Sequence, residues 1–451
     1  MTNTLLLPEL REMLAKNDAA EMREFCGAMH PARTAEFMEG LSPAESWDVL
    51  RHAEPGRRAE IFLYFEREKQ VAIIETIDRA ETAAFLADLP ADESVDILKQ
   101  VRHEIVEELL PLIPAEERRD IYRLHAYPEG TAGAMMTTEF ARLREDHTVS
   151  EALAELRRQV EELETIYYLY VVDDQDHLRG LVSLRELVLG KPHVRIGDIM
   201  QRSVVSVDAM EDQEQVARTL ARFDFLALPV VDREHHMLGI VTHDDVIDVV
   251  VEEATEDAQR IAGVTPLEAG YLETGILTLT RKRGVWLTVL FFAQLITART
   301  LGYYESVLAT LPWIMLFIPL INSSGGNSGN QSATLVITGL STGNVRLADW
   351  LHVLWREIVT GLLLGGFLAL IGSLAAWVLV PNQPAMRTVP IALLLVVTCG
   401  TMLGSMLPLV FRRLGLDPAL MSNPMVAGLM DILGIAIYVE VTLLLVGRLV
   451  P

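Results

Sequence analysis

The sequence predicts a multidomain membrane protein: an all-α helical-repeat N-domain, a duplicated α/β module, a connecting helix and a five-helix transmembrane domain. Its charge distribution, two internal repeats and a series of apolar runs predict this organisation. From Gly284 onward the chain has six acids, seven arginines and no lysine, which leaves 56 acids and 31 bases before Gly284, a net charge of about −25. Such an acidic half repels nucleic acid and attracts cations.

The first repeat has a period of 24 residues. Four segments with an acidic opening and an apolar helical face begin at Leu41, Phe65, Leu89 and Ile113. A period of this length is typical of stacked helical hairpins, because each hairpin buries its apolar face only against its neighbours. We therefore predict an acidic helical-repeat domain over residues 1–130.

The second repeat has an offset of 59 residues. LYVVDDQDHLRGLVSLREL (169–187) aligns with LPVVDREHHMLGIVTHDDV (228–246), and each copy reads as an apolar strand, a polar turn, a second strand and the start of a helix. This pattern resembles a tandem pair of cystathionine-β-synthase-type (CBS) modules, a cytosolic sensor fold. The predicted modules cover residues 131–197 and 198–255.

Modules of this kind commonly hold the ribose of an adenine nucleotide at a strand followed by Gly-x-x-Thr/Ser-x-x-Asp. The second copy matches at Gly239, Thr242 and Asp245, whereas the first copy has Glu186 in the aspartate position. The resemblance therefore implies ATP as a modulator. Its candidate binding residues are Tyr168, Ser183, Arg185, Glu186, Thr242 and Asp245. Alternatively, Ser183 or Thr242 only caps the helix that follows.

Five apolar runs follow, and each reaches the roughly 20 residues that a membrane-crossing helix needs. They lie at about residues 285–304, 307–340, 358–380, 389–411 and 419–449. Basic residues gather at one set of run ends, namely Arg281, Lys282, Arg283, Arg346, Arg356, Arg412 and Arg413. This asymmetry predicts a multi-pass protein of the cell (inner) membrane with a cytoplasmic N-terminus and an outside C-terminus.

The assembled layout resembles the MgtE family of magnesium channels. The local matches are EEATED (252–257), PLINSSGGNSGNQSAT (319–334), RRLGLDPALMSNP (412–424) and DILG (431–434). The resemblance implies a connecting plug helix at residues 256–283, a five-span pore domain at residues 284–451, and a homodimer in membrane lipid that conducts Mg²⁺ and is gated by it.

The second run contains NSSGGNSGNQS at residues 322–332, an unusually polar stretch for a membrane segment. We expect its glycines to loosen the helix where its amides supply oxygen ligands to an ion. The candidate pore residues from this stretch are Gly325, Gly326, Asn327, Asn330 and Gln331. A close helix crossing at small residues, which the spacing of Gly325 and Gly329 also predicts, is the alternative.

Asp431 is the sharpest pore candidate, and the family's pore aspartate falls on it. If the last helix begins near Ala419, Asp431 lies about 18 Å along it, close to mid-bilayer. A carboxylate there is costly and marks an ion pathway, and the alternative is a protonated or hydrogen-bonded structural aspartate. Mg²⁺ keeps several waters and uses one or two carboxylates, so one Asp431 from each chain suits a two-fold pore. Asn423 is a weaker candidate, and Glu440 has no assigned role.

The resemblance also implies regulatory Mg²⁺ between acidic surfaces of the N-domain, the CBS pair and the plug helix. The matching acids are Asp92, Asp96, Asp212, Glu214, Asp224, Asp245, Asp248, Glu253, Glu256, Asp257 and Asp417. Physically, like-charged surfaces repel until divalent ions lie between them, so metal favours the compact state. For any single acid, a solvated surface role is an equal alternative.

The sequence argues against an enzyme and leaves two alternatives to magnesium conduction. The sequence contains no Walker loop, nucleophile elbow or His-Glu-x-x-His motif, so it predicts no enzyme. A transporter of Co²⁺ or Mn²⁺ is the nearest alternative, although ligands that are all oxygen favour Mg²⁺ over softer metals. A nucleotide-modulated CBS regulator with a membrane anchor is a further alternative.

Overall fold

The computed structural model describes residues 5–160, 163–267, 270–272, 274–380, 383–420 and 423–446. The chain divides into two compact units, Met1–Val251 and Glu252–Pro451. The first unit contains short helices followed by two small sheets, and the second contains long helices.

The N-terminal part of the first unit is a two-layer stack of short helices. In the described residues these are α1 (Leu7–Lys16), α2 (Ala19–Ala28), α3 (Pro31–Met38), α4 (Pro43–Leu50), α5 (Pro55–Leu63), α6 (Arg67–Thr76), α7 (Arg79–Leu86), α8 (Ala91–Gln100), α9 (His103–Leu109) and α10 (Ala115–His125). Helices α4, α6, α8 and α10 begin 24 residues apart and pack on one another in order, while α3 packs on α5 and α7 on α9.

Capping residues mark where these helices begin, and aromatic side chains pack the helices against one another. Ser42 and Glu45 form a capping box at the start of α4, which satisfies two backbone amides that the helix leaves free. Between the layers, the Phe85 ring meets Phe62 and Trp47 edge to face, with centroid distances of 4.9 and 5.0 Å. The repeat therefore buries one continuous apolar core.

The second part of the first unit contains two α/β modules of matching topology. Their elements are β1 (Phe140–Leu143), α11 (Val149–Gln159), β2 (Thr165–Val172), β3 (Leu178–Ser183), α12 (Leu184–Leu189), α13 (Ile196–Ile199), β4 (Val207–Asp208), α14 (Gln213–Phe223), β5 (Ala227–Val231) and β6 (Met237–Thr242). In each sheet the first strand is parallel to the second, and the second is antiparallel to the third. The turns of the two hairpins meet where the rings of His177 and His236 stack, with centroids 4.3 Å apart.

The connecting helix differs from the prediction of 256–283. Helix α15 (His243–Ile261) begins directly after β6, and the next helix begins only at Ile276. Gly263 has a φ of +74°, a left-handed conformation that commonly ends helices, and Pro266 follows it. These two residues separate α15 from the apolar helix that the prediction joined to it.

The second unit is a bundle of long helices. They are α16 (Ile276–Tyr303), α17 (Glu305–Thr310), α18 (Ile314–Ser341), α19 (Trp350–Leu379), α20 (Gln383–Arg413) and α21 (Asn423–Val446), of which α17 is short. Among the described residues, four helices, α16, α19, α20 and α21, are long and apolar enough to cross a membrane. Helix α18 has 28 residues but a polar centre, so the count of five spans stays a prediction.

Helix α18 packs against both α20 and α21. It crosses α20 through glycines: a Cβ atom on Gly400 would lie 2.4 Å from the Gly325 carbonyl oxygen, and one on Gly404 would lie 2.0 Å from that of Gly329. Only glycine fits such an approach. The expected loosening of α18 is not observed, because the polar stretch is helical throughout.

Candidate metal sites

The polar stretch of α18 has one exposed side and one buried side. Ser323, Asn327 and Gln331, spaced four residues apart, are exposed in the single chain, and we call them the polar stripe. Asn330 borders the stripe, and its Oδ1 atom is enclosed without a hydrogen-bond partner among the described residues. Amide groups therefore line a helix face that the chain itself leaves open.

The glycines of the same stretch lie on the buried side. Gly325 is packed against Val396 of α20, and Gly326 faces Ala427 of α21. Their lack of a side chain lets the helices approach closely, which is the packing alternative that their spacing predicted. Of the five pore candidates in this stretch, Asn327 and Gln331 are the ones with exposed side chains.

Asp431 lies on α21 beside α16 and α18. Gln294 of α16 donates a hydrogen bond to its Oδ2 atom at 2.9 Å, and Asn322 of α18 donates to its backbone carbonyl at 3.2 Å. Because α21 begins at Asn423 rather than near Ala419, Asp431 lies about 12 Å along the helix, not 18 Å. The side chain is half-exposed in the single chain.

Asn423 and Glu357 also make contacts between helices in this unit. The Oδ1 atom of Asn423 accepts a hydrogen bond from Thr334 of α18 at 3.3 Å. Glu357, in the second turn of α19, accepts a hydrogen bond from the Ser332 hydroxyl at 2.5 Å. Sequence reasoning missed Gln294 and Glu357. An acid directly before an apolar run was a usable signal for Glu357, whereas nothing local indicated Gln294.

A second group of carboxylates lies in the first unit, and we call it the acidic cluster: Asp92 and Glu93 of α8, Glu164 before β2, and Asp245 of α15. Burial, and then the neighbouring charge of Asp245, raises the pKa of Asp92 well above its usual range. Burial also raises the pKa of Asp245 to about 6, with Asp244 and Glu93 adding to the shift. Three separate elements thus direct acids into one poorly solvated region.

The remaining two acids of the cluster show the same effect. Burial raises the pKa of Glu164, with Asp245 as the strongest neighbouring charge. Burial also raises the pKa of Glu93, although Arg67, 3.5 Å away, opposes this. The Oδ1 atom of Asp92 is enclosed without a hydrogen-bond partner in the described part of the chain. The cluster therefore concentrates negative charge where water screens it poorly.

Of the other predicted regulatory acids of the first unit, Asp96 and Asp248 border this cluster, because each adds to the raised pKa of Glu93, whereas Asp212, Glu214 and Asp224 belong to α14. Asp96 pairs with Lys99 at 2.9 Å on the surface of α8. Asp212 caps the start of α14, where Glu214 pairs with Arg218, while Asp224 ends the same helix with a φ of 53°. Asp212 and Asp224 are therefore about 18 Å apart along the helix. Asp248 lies one turn after Asp245 on α15 and contributes to the raised pKa of Glu93.

The predicted acids of the second unit gather around the end of α15. Arg260 forms ion pairs with both Glu256 and Asp417, so an arginine balances these two carboxylates. Asp257 accepts a hydrogen bond at 2.8 Å from Ser341, the last residue of α18, and Glu253 lies one turn earlier on α15. Sequence reasoning missed Arg260, although its position four residues after Glu256 is a recognisable ion-pair spacing.

The candidate nucleotide residues are engaged in helix caps. Ser183 and Glu186 form a capping box at the start of α12, with an oxygen to oxygen distance of 2.8 Å. Thr242 donates to Asp245 at 2.6 Å in the equivalent place. Tyr168 lies opposite Ser183 in the β2 and β3 register, and Arg185 follows in α12. The capping alternative therefore describes both hydroxyls in this structure.

Comparison with known proteins decides the family. The family model described as "MgtE: Divalent cation transporter" matches residues 318–441, the MgtE intracellular N domain matches residues 29–130, and the CBS domain matches residues 132–190 and 196–252. The magnesium transporter MgtE of Thermus thermophilus is 42% identical over 358 residues, which cover 78% of this chain and 79% of that protein. This chain belongs to the MgtE family.

Other MgtE proteins give the same result. The magnesium transporter MgtE of Enterococcus faecalis is 37% identical, with 72% of each chain covered, and that of Bacillus subtilis is 33% identical, with 77% of this chain and 76% of that protein covered. MgtE is a transporter family and not an enzyme family. The predicted family membership is therefore confirmed.

Two solved structures match about half of this MgtE chain. The soluble part of a magnesium transporter aligns with a TM-score of 0.52 at 36% identity, covering 55% of this chain and 97% of that one. The cytosolic domain of the Mg²⁺ channel MgtE in complex with ATP aligns with a TM-score of 0.50 at 37% identity, covering 53% and 98%. The predicted combination of helical N-domain, CBS pair and apolar helical region is confirmed as an MgtE architecture.

Proposed function

We infer that this chain carries Mg²⁺ across a membrane, with Asp431 as the pore ligand. The observation that carries the proposal is a half-exposed carboxylate on α21, a helix apolar enough to cross a membrane, packed beside the polar helix α18. The three relatives described above are named magnesium transporters. Carboxylate and amide oxygens are suitable partners for a hard cation.

The contacts of Asp431 suit a hydrated ion. Gln294 engages the Oδ2 atom and so fixes the orientation of the carboxylate. An ionised carboxylate offers about four acceptor positions, so Asp431 can also accept hydrogen bonds from the water ligands of Mg²⁺. Outer-sphere contact releases the ion more readily than direct coordination, because Mg²⁺ dehydrates reluctantly. In a homodimer with the pore on its axis, two copies of Asp431 share one divalent ion.

The acidic cluster is the proposed magnesium sensor of the cytosolic part. Without metal, burial disfavours the charges of Asp92, Glu93, Glu164 and Asp245, and their mutual repulsion adds to the raised pKa values. Binding of Mg²⁺ removes this repulsion and stabilises the compact arrangement of the N-domain (1–130) and the CBS pair (131–255). Helix α15 carries Asp245 in its first turn and, in its last turn, Arg260, which pairs with Asp417.

ATP is the proposed modulator of this sensor. The cytosolic domain of a related MgtE channel is known in complex with ATP. In this chain the hydroxyls of Ser183 and Thr242 are bound to carboxylates of their own helix caps. A bound ribose therefore competes with these caps, which predicts weak nucleotide binding.

Uptake into liposomes tests the pore assignment. Asp431→Asn keeps the size of the side chain and its bond to Gln294 but removes the charge, so we expect Mg²⁺ uptake to fall by at least about tenfold, equivalent to about 1.4 kcal/mol. The matched control is Glu305→Gln, which removes an exposed carboxylate from α17, and it should transport at the wild-type rate. Parallel runs with Co²⁺ and Mn²⁺ measure selectivity. Undiminished uptake by Asp431→Asn would refute the assignment.

A further inference from the structure

Glu440 is a second carboxylate within α21, six residues before the helix ends at Val446. Its side chain is exposed on the surface of the single chain. A charged group at this place in a membrane-crossing helix is costly, and such groups are retained where they face water, an ion or a partner. The position therefore calls for an aqueous or ionic neighbour that this chain does not itself provide.

One hydrogen bond orients Glu440. In the part of the chain that the structure describes, its donor is the phenol of Tyr304, 2.9 Å from Oε1. Tyr304 is buried, with 8% of its surface exposed, so it holds the carboxylate from a fixed position. The acceptor positions that Tyr304 leaves unused are available to the water shell of a cation.

Glu440 and Asp431 both lie on α21, where a separation of nine residues, or two and a half turns, directs their side chains to opposite sides of the helix. Each carboxylate accepts one hydrogen bond from α16 or from the residue that caps it. Gln294 donates to Asp431 and Tyr304 donates to Glu440, both at 2.9 Å. The donors are ten residues apart and the carboxylates nine, which corresponds to about 15 and 14 Å along parallel helices. Most of the apolar stretch of α16 is exposed in the single chain.

We propose that Glu440 binds the hydrated divalent cation at a second site, about 14 Å along α21 from Asp431. The proposal rests on the proposed function and adds to it a site on the outer side, where the ion is collected before it reaches Asp431. No single ion reaches both carboxylates at this distance, so the two sites act in succession. Tyr304 is a positioning residue, because it touches the carboxylate and not the ion.

Uptake kinetics at varied external Mg²⁺ test this proposal in liposomes that contain the full chain. We expect Glu440→Gln to raise the half-saturating Mg²⁺ concentration about three- to tenfold through loss of local cation enrichment, with a maximal rate close to that of the wild type. Glu440→Asp keeps the charge and should restore most of the affinity. Tyr304→Phe should give a smaller increase, and Glu305→Gln none.

The outcomes separate this proposal from the function on which it rests. If Glu440→Gln leaves half-saturation unchanged while Asp431→Asn abolishes uptake, the second site is refuted and the transport function stands. Equal losses of thermal stability in Glu440→Gln and Tyr304→Phe, without a change in half-saturation, would make the contact purely structural and also refute the site. Absence of Mg²⁺ uptake by the wild-type chain would refute both proposals.

Discussion

Replacing Asp245 by asparagine removes one negative charge from the acidic cluster and keeps an oxygen that accepts the Thr242 hydrogen bond. In the folded chain the pKa of Asp245 is raised from 3.8 to about 6. The folded state therefore binds the proton more tightly than the unfolded state. The resulting stability is fully present below about pH 4 and is lost as the pH rises through about 6.

The size of the effect follows from the pKa shift. A shift of about two units corresponds to about 3 kcal/mol, which the ionised Asp245 costs the folded state at pH 7.5. Asparagine does not ionise, so Asp245→Asn should recover up to this amount. For a unit of the size of Met1–Val251, about 2 °C per kcal/mol gives a rise of about 6 °C in its unfolding temperature.

Thermal unfolding of the full-length protein, without Mg²⁺ and then with saturating Mg²⁺, measures this effect. Without metal the variant should be more stable than the wild type, and with metal the difference should shrink, since the wild type gains more from the ion. The control is Glu107→Gln, which loses the same charge at a side chain that is 70% exposed, and its unfolding temperature should stay within about 1 °C.

Two results would refute this reasoning. A variant that is less stable than the wild type in the absence of Mg²⁺ would show that the charge of Asp245 is already compensated in the folded chain. An equal gain from Mg²⁺ in the wild type and the variant would show that the acidic cluster is not where the ion binds.

Two further predictions concern packing and ligand binding. Gly404→Ala places a Cβ atom 2.0 Å from the Gly329 carbonyl oxygen. The substitution should therefore destabilise the helix bundle by about 1–3 kcal/mol. In size-exclusion chromatography after heating, the variant should lose its monodisperse peak at a lower temperature than the wild type. Gly366→Ala, where nothing lies within 4 Å, is the control, and equal behaviour of the two variants would contradict the crossing. Calorimetric titration of the full-length protein with millimolar ATP should show weak binding, and Tyr168→Ala should abolish it. If the substitution leaves the binding heat unchanged, Tyr168 is not part of the nucleotide site.

The repeats were predictable because each is encoded locally. The 24-residue period predicted segment starts at Leu41, Phe65, Leu89 and Ile113, and α4, α6, α8 and α10 each begin two residues later. The offset of 59 likewise predicted two hairpins whose strands pair in the same order. Periodic burial leaves a sequence signal wherever a unit must pack against its own copy.

The candidate sites were less predictable, because distant segments form them. Nothing near Glu164 indicates that it lies beside Glu93 and Asp245, and only the fold brings these three carboxylates together. Composition likewise could not tell which side of the α18 helix its glycines occupy. Gly325 and Asn327 are two residues apart, and the structure buries the first and exposes the second.

The glycine crossing of α18 and α20 has a mechanical consequence. With the Gly325 and Gly329 carbonyl oxygens seated against Gly400 and Gly404, neither helix has room to slide or roll along the other. The two helices therefore move together as one rigid pair, and the exposed amide side chains of α18 move with that pair. In the proposed pore, any widening or narrowing then requires displacement of the α18 and α20 pair as a whole.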